Sequence, residues 1–122
     1  HVEIKRAIAA RYASELGGGT GVAPHPEPAN CRSTFWMYTA KLAGVAQPAI
    51  ARLNAAGIMC RPIWIPLHRL PPFQSCPCGS ALREVEGLNR SGISLPCSVG
   101  LDSASQRRVL AVLRDFLASR EG

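Results

Sequence analysis

The chain has 122 residues, 47% of them hydrophobic and 18% charged, with a formal net charge of +6. That length suits one domain rather than two of ordinary size, and no apolar run approaches the ~20 residues of a membrane-spanning helix. Its twelve Arg and two Lys are scattered, with Lys5-Arg6 and Arg107-Arg108 as the only adjacent basic pairs, and no aromatic residues interleave with them, which weighs against a nucleic-acid-binding face.

In chain order, Val2 to Leu16 predicts a helix, with Ile4, Ile8, Tyr12 and Leu16 recurring at four-residue spacing. Gly17-Gly18-Gly19 stops it, and the stretch to Asn30 has no apolar period and three prolines, so it reads as a surface connector. Ser33 to Leu42 gathers β-branched and aromatic residues and predicts a core strand. Gln47 to Ala56 predicts a helix, because Pro48 stands at the first helical position and Gly57 follows where a left-handed cap belongs. Its apolar stripe is Ile50, Leu53 and the neighbouring alanines.

The stretch Gly57 to Phe73, GIMCRPIWIPLHRLPPF, is too apolar for a surface loop and too rich in proline for a central strand. Ile58 to Ile65 predicts a buried strand with Pro62 at an edge or bulge, where no ladder hydrogen bond is needed. Pro66 then forces an irregular segment, and His68 sits just past the strand end between Pro66 and the pair Pro71-Pro72. Two readings of His68 stand: a structural residue at a strand end, or one held rigidly to meet a ligand or partner. Further on, Ser80 to Leu88 predicts a shorter helix carrying Leu82, Val85 and Leu88, and Ile93 to Leu95 a short strand cut off by Pro96. The last helix opens on a capping-box pattern, Ser103 with Gln106, and carries a stripe of Val109, Val112, Leu113, Phe116 and Leu117. About three strands and about four helices give an α+β domain spanning 1–122, with a small, mainly antiparallel sheet covered by helices.

Five cysteines, Cys31, Cys60, Cys76, Cys78 and Cys97, are an odd number, and no leader for export is legible at the start, so reduced thiols in a cytoplasm are expected. A single proline separates Cys76 from Cys78, closer than paired zinc ligands normally stand, and Cys60 and His68 would complete four ligands only by coincidence of folding, so no metal is expected. There is no nucleophile elbow, phosphate loop or paired-His helix. Cys97 would be a nucleophile only with His68 beside it.

Phe35-Trp36-Met37-Tyr38, Leu53-Asn54-Ala55-Ala56-Gly57-Ile58, Arg61-Pro62-Ile63-Trp64-Ile65-Pro66-Leu67-His68 and Gly92-Ile93-Ser94-Leu95-Pro96-Cys97-Ser98 together resemble the C-terminal part of the DegT/StrS family of nucleotide-sugar aminotransferases. The branch acting in legionaminic-acid and related surface-sugar pathways is the most similar. The resemblance implies a fold-type I parent, a pyridoxal-phosphate-dependent homodimer whose smaller C-terminal domain closes over a sugar-nucleotide site. It places His68 near the substrate and matches Trp64, Arg61 and Phe73 to neighbouring positions more loosely. The cofactor lysine, the acid facing the pyridinium nitrogen and the phosphate cup belong to the large domain, and neither Lys5 nor Lys41 matches the family's lysine.

The expectation is therefore a substrate-closing and dimer-contact domain without catalytic, cofactor or metal residues of its own, and the start at His1 reads either as a tag or processing scar or as a piece of something longer. Its expected partners are the large domain or a second subunit, with the sugar nucleotide bound only in the intact enzyme. A freestanding interaction module that keeps the fold is the alternative, and the reading frame upstream of His1 would separate the two.

Overall fold

The central strand of the fold is four residues long. β4 (Gly92–Leu95) lies between β2 (Tyr38–Leu42) and β3 (Arg61–Pro62), and β1 (Val22–Pro24) pairs with the other edge of β2. The order is β1-β2-β4-β3, and every neighbouring pair is antiparallel. The computed structural model describes residues 1–19, 21–79 and 82–120, and among them lie α1 (Val2–Leu16), α2 (Gln47–Ala55), α3 (Arg83–Ser91) and α4 (Ser103–Ala118). The expected α+β class is observed. No described helix is long and apolar enough to cross a membrane.

Register decides which face is buried. Tyr38 stands opposite Leu95 and Ala40 opposite Ile93, while Val22 stands opposite Leu42, so these six side chains share one side of the sheet. That side packs on Ile8, Tyr12 and Leu16 of α1, Ile50 and Leu53 of α2, and Leu110 and Leu113 of α4, all in one buried cluster. The Tyr12 and Tyr38 rings meet at 4.7 Å between centroids, and the Tyr12 hydroxyl donates to the Pro96 carbonyl at 2.9 Å. Gln106 is buried among these apolar residues, and it is tolerated because its Nε2 donates to the Ile8 carbonyl at 2.8 Å.

Several sequence-based boundaries shift, each for a physical reason. The connector after Gly17 contains β1, a strand of three residues, too short to show a period. Only Tyr38–Leu42 of the predicted 33–42 strand pairs. Residues 33–37 are drawn away by Arg6, whose guanidinium donates to the Ser33 carbonyl and to Glu27, each at 2.7 Å, and Phe35 takes a left-handed φ of 45°. The predicted strand 58–65 contracts to Arg61–Pro62 at the sheet edge, since Pro62 and Pro66 have no amide hydrogen to give. β4 sits between β2 and β3, so the strand-helix-strand unit flanks a strand from later in the chain.

Helix faces shift as well. On α1, Ile4 is exposed and Ala9 is buried with Ile8, Tyr12 and Leu16. α2 ends one residue early, with Gly57 at a φ of +74° as its cap position requires. α3 spans Arg83–Ser91, and its Val85 and Leu88 are exposed rather than a core stripe; Ser80 and Ala81, where that helix was placed, lie outside the described residues. The α4 cap is Asp102, not Ser103: its carboxylate accepts from the Ser105 amide at 2.7 Å. Val112, Phe116 and Leu117 are only partly buried, while Leu110 joins the core.

The cap correction is testable. Asp102→Ala is expected to lower the urea midpoint by more than Ser103→Ala does, since the Ser103 hydroxyl only accepts an exposed bond from Arg11 at 2.7 Å. The hydrogen bonds from Ser105 hold the Asp102 carboxyl below its ordinary value. Its contribution is therefore present above the unfolded carboxyl pKa of about 3.9 and is lost as pH falls through the lower folded value. Urea titrations of both variants across acidic pH should show the Asp102→Ala difference closing on acidification.

Candidate functional site

The proline-rich segment after β3 is set by a chain of short turns. Amides of Arg69, Leu70, Phe73 and Cys76 donate to the carbonyls of Pro66, Leu67, Leu70 and Phe73 at 2.9–3.1 Å. Two single 3₁₀ turns result, Leu67–Arg69 and Pro71–Phe73. Pro66, Pro71 and Pro72 supply fixed φ values and these four amides are used within the segment, so this arm holds its path without joining the sheet.

α3 clamps the arm from the side. Glu86 reaches His68 Nε2 at 2.7 Å and Arg69 at 3.4 Å, and Arg69 also donates to Asn89 Oδ1 at 3.1 Å. Asn89 Nδ2 in turn donates to the Trp64 carbonyl at 2.9 Å. Below the clamp, Ile63 lies so close to Gly92 that a Cβ there would stand 2.9 Å from its Cδ1 and Cγ2, and 2.7 Å from the Leu88 carbonyl. Glycine at 92 is what lets arm, helix and strand converge.

His68 and Phe73 line one open cleft of about 490 Å³, together with Leu67, Cys76, Cys78 and Val85. Trp64 lines a second, of about 290 Å³, with Phe35, Trp36 and Thr39. The two indoles stand 6.1 Å apart and are 68% and 73% exposed. Arg61 is exposed at the sheet edge, its guanidinium 3.7 Å from Met59 Sδ, and it lines neither cleft. Three of the four predicted site residues thus lie beyond β3 and Arg61 on β3 itself, and the four do not converge on one pocket. Cys97 lines a different cleft from His68, and its sulfur accepts from the Tyr38 amide at 3.3 Å, so no Cys97–His68 pair forms.

Sequence reasoning missed Glu86 and Asn89, which position the arm, and Trp36, which faces Trp64. Trp36 sits in a quoted motif and carried that signal; Glu86 and Asn89 have no local signature. Lys5 was also missed as a structural anchor: its ammonium donates to the carbonyls of Trp36 at 3.0 Å and Cys97 at 2.9 Å, fixing the aromatic loop to the end of β4. Among the described residues, no group of three or more His, Cys, Asp or Glu is placed to hold a metal ion.

An antiparallel sheet backed by helices, with a proline-set arm at its edge, has the architecture of the small domain of a fold-type I aminotransferase. The chain belongs to the DegT/DnrJ/EryC1/StrS aminotransferase family, whose profile matches residues 1–114. It is 30% identical over 123 residues to the GDP-perosamine synthase of Caulobacter vibrioides, covering 96% of this chain and 33% of that protein. With EpsN of Bacillus subtilis it shares 35% identity over 120 residues, covering 92% of this chain and 30% of EpsN. The crystal structure of the aminotransferase TlmJ from Streptoalloteichus hindustanus superimposes with a TM-score of 0.84 at 24% identity, over 98% of this chain and 32% of TlmJ, a likeness of fold alone. The chain spans about a third of the length of the relatives it matches.

If α3 holds the arm through Asn89, Asn89→Ala should speed amide hydrogen exchange at Arg69, Leu70 and Phe73 while leaving Ile93 and Leu95 protected. Equal acceleration in the arm and in β4 would instead indicate global destabilisation.

Proposed function

We propose that this chain is the C-terminal domain of a bacterial sugar-nucleotide aminotransferase, the part that closes over the substrate site and contributes to the dimer contact. The observation that carries this reading is the arm itself. Trp64, Ile65, Leu67 and Phe73 are all exposed, and Trp64 faces the exposed Trp36 at 6.1 Å, apolar surface that suits burial against another domain or subunit. In this reading His68, whose Nε2 meets Glu86 at 2.7 Å, contacts the sugar nucleotide with Phe73 lining the same cleft, while Trp64 and Arg61 stand outside that cleft.

The cofactor of such an enzyme, pyridoxal phosphate, needs a lysine in a pocket with phosphate-binding groups and an acid facing the ring nitrogen. The residues described here do not fit it. The Lys5 ammonium is committed to two carbonyls, and Lys41 lines a shallow, mostly apolar cleft with Ala23, Pro24 and His25. The glycines at 17–19 follow a helix, not a strand that could aim a phosphate at a helix N-terminus. Transamination by this chain alone is therefore not part of the reading.

Borohydride reduction in the presence of pyridoxal phosphate, followed by peptide mapping, should give no stoichiometric label on Lys5 or Lys41. Adding a separately expressed large domain should restore amino transfer from glutamate to a keto-sugar nucleotide. His68→Ala should then lower the restored rate on the order of a hundredfold, the scale of a lost positioning contact, with an unchanged urea midpoint. Stoichiometric labelling with turnover by the chain alone would overturn the proposal.

A further inference from the structure

The five cysteines occupy different environments. Cys60 is buried, and burial pushes its thiol up to about 11, leaving little thiolate to react. Cys97 is half-buried, and its sulfur meets the Tyr38 amide at 3.3 Å, the Lys5 ammonium at 3.9 Å and the Trp36 carbonyl at 3.5 Å. Cys31 is exposed but has no other cysteine near it in sequence. Cys76 and Cys78 are both exposed, stand one residue apart, and line the same open cleft.

The local geometry places the Cys78 sulfur beside the Cys76 backbone. The Cys76 amide closes a turn onto the Phe73 carbonyl at 3.1 Å, and the Cys78 side chain folds back so that its Sγ lies 3.6 Å from the Cys76 carbonyl oxygen. Consecutive Cα atoms are about 3.8 Å apart. Two residues separated by one other therefore stand at most about 7 Å apart, and in a bent segment fall within the about 4.4–6.8 Å that a disulfide spans.

We infer that Cys76 and Cys78 form a modification site, a dithiol that exchanges with a low-molecular-weight disulfide such as oxidised glutathione and closes to an intramolecular disulfide across Pro77. One thiolate attacks a sulfur of oxidised glutathione, forming a mixed disulfide and expelling one glutathione thiolate. The second thiol gives its proton to water and attacks the protein sulfur of that mixed disulfide, expelling the second glutathione. The protein loses two electrons and two protons, and the glutathione disulfide is reduced to two thiols. The ring so closed contains the Pro77 backbone and is small, so the bond is strained and readily reduced, as labile rather than structural disulfides are. Both thiols line the same cleft as His68, but the inference is read from peptide mass rather than activity, so it stands or falls separately from the function proposed above.

The test is to incubate the chain with oxidised glutathione, quench in acid, alkylate and map the peptides by mass. The expected result is a peptide containing Cys76 and Cys78 that lacks two hydrogens and takes no alkyl label, regained in full after dithiothreitol, with glutathione retained on Cys31. Cys78→Ser should trap glutathione on Cys76, and Cys76→Ser should trap it on Cys78, because the resolving thiol is gone. Glutathione persisting on either residue of the unmodified sequence, full alkylation of both, or pairing of either with Cys31 would overturn the inference.

Discussion

All four residues of β4 are buried, and the rest of the structure depends on that burial. A strand with no exposed face must be flanked by neighbours on both edges and covered on both sides, because its amides and carbonyls have no water to turn to. β2 and β3 supply the edges, the core helices cover one face, and Ile63 and the end of α3 close over the other at Gly92. The arm that carries His68 is thus positioned from the inside of the fold outward: the glycine admits Ile63, Ile63 fixes the start of the arm, and α3, held at the same glycine, supplies the Glu86 that meets His68.

The same economy explains where the positive charge goes. From α4, Arg108 donates to the Ala56 carbonyl at the end of α2, and Arg114 to the Glu15 carbonyl near the end of α1, both at 2.6 Å. Both reach the negative ends of helices whose last carbonyls lack intrahelical partners. Arg6 binds Glu27 and the Ser33 carbonyl, and Lys5 joins the aromatic loop to the end of β4. Guanidinium and ammonium groups spent on carbonyls in this way do not assemble into a basic stripe, consistent with the scattered placement visible in the sequence.

What could be read from the sequence was what periodicity and punctuation encode. The bounds of α1, the start of α2 at Gln47 and the positive φ of Gly57 follow from four-residue spacing, a first-turn proline and a cap glycine. β1 was hidden because Val22–Pro24 is defined only by its pairing with β2. Asp102 was passed over for Ser103 because both are good caps one position apart, and only the backbone shows which amide is within reach. On the arm, the prolines announced a held segment and the resemblance singled out His68, but its partner Glu86 lies eighteen residues along the chain on another element, and pairing at that distance leaves no pattern. Nor could spacing show that Trp64 and His68, four residues apart, line different clefts.

The position of β4 also fixes the order in which the molecule can come together. α1, β1, β2 and α2 precede β4 in the chain, yet Tyr38 has its cross-strand partner only at Leu95, and α4, which covers much of α2, comes later still. During synthesis the emerging chain therefore carries a half-built apolar layer for the time needed to add the proline-rich arm, α3 and the central strand. Contacts so remote in sequence carry a loop-closure entropy that nearby pairings do not. The sheet is completed at Leu95, but the apolar layer stays open to misassociation until α4 has followed and brought Leu110 and Leu113 to the core.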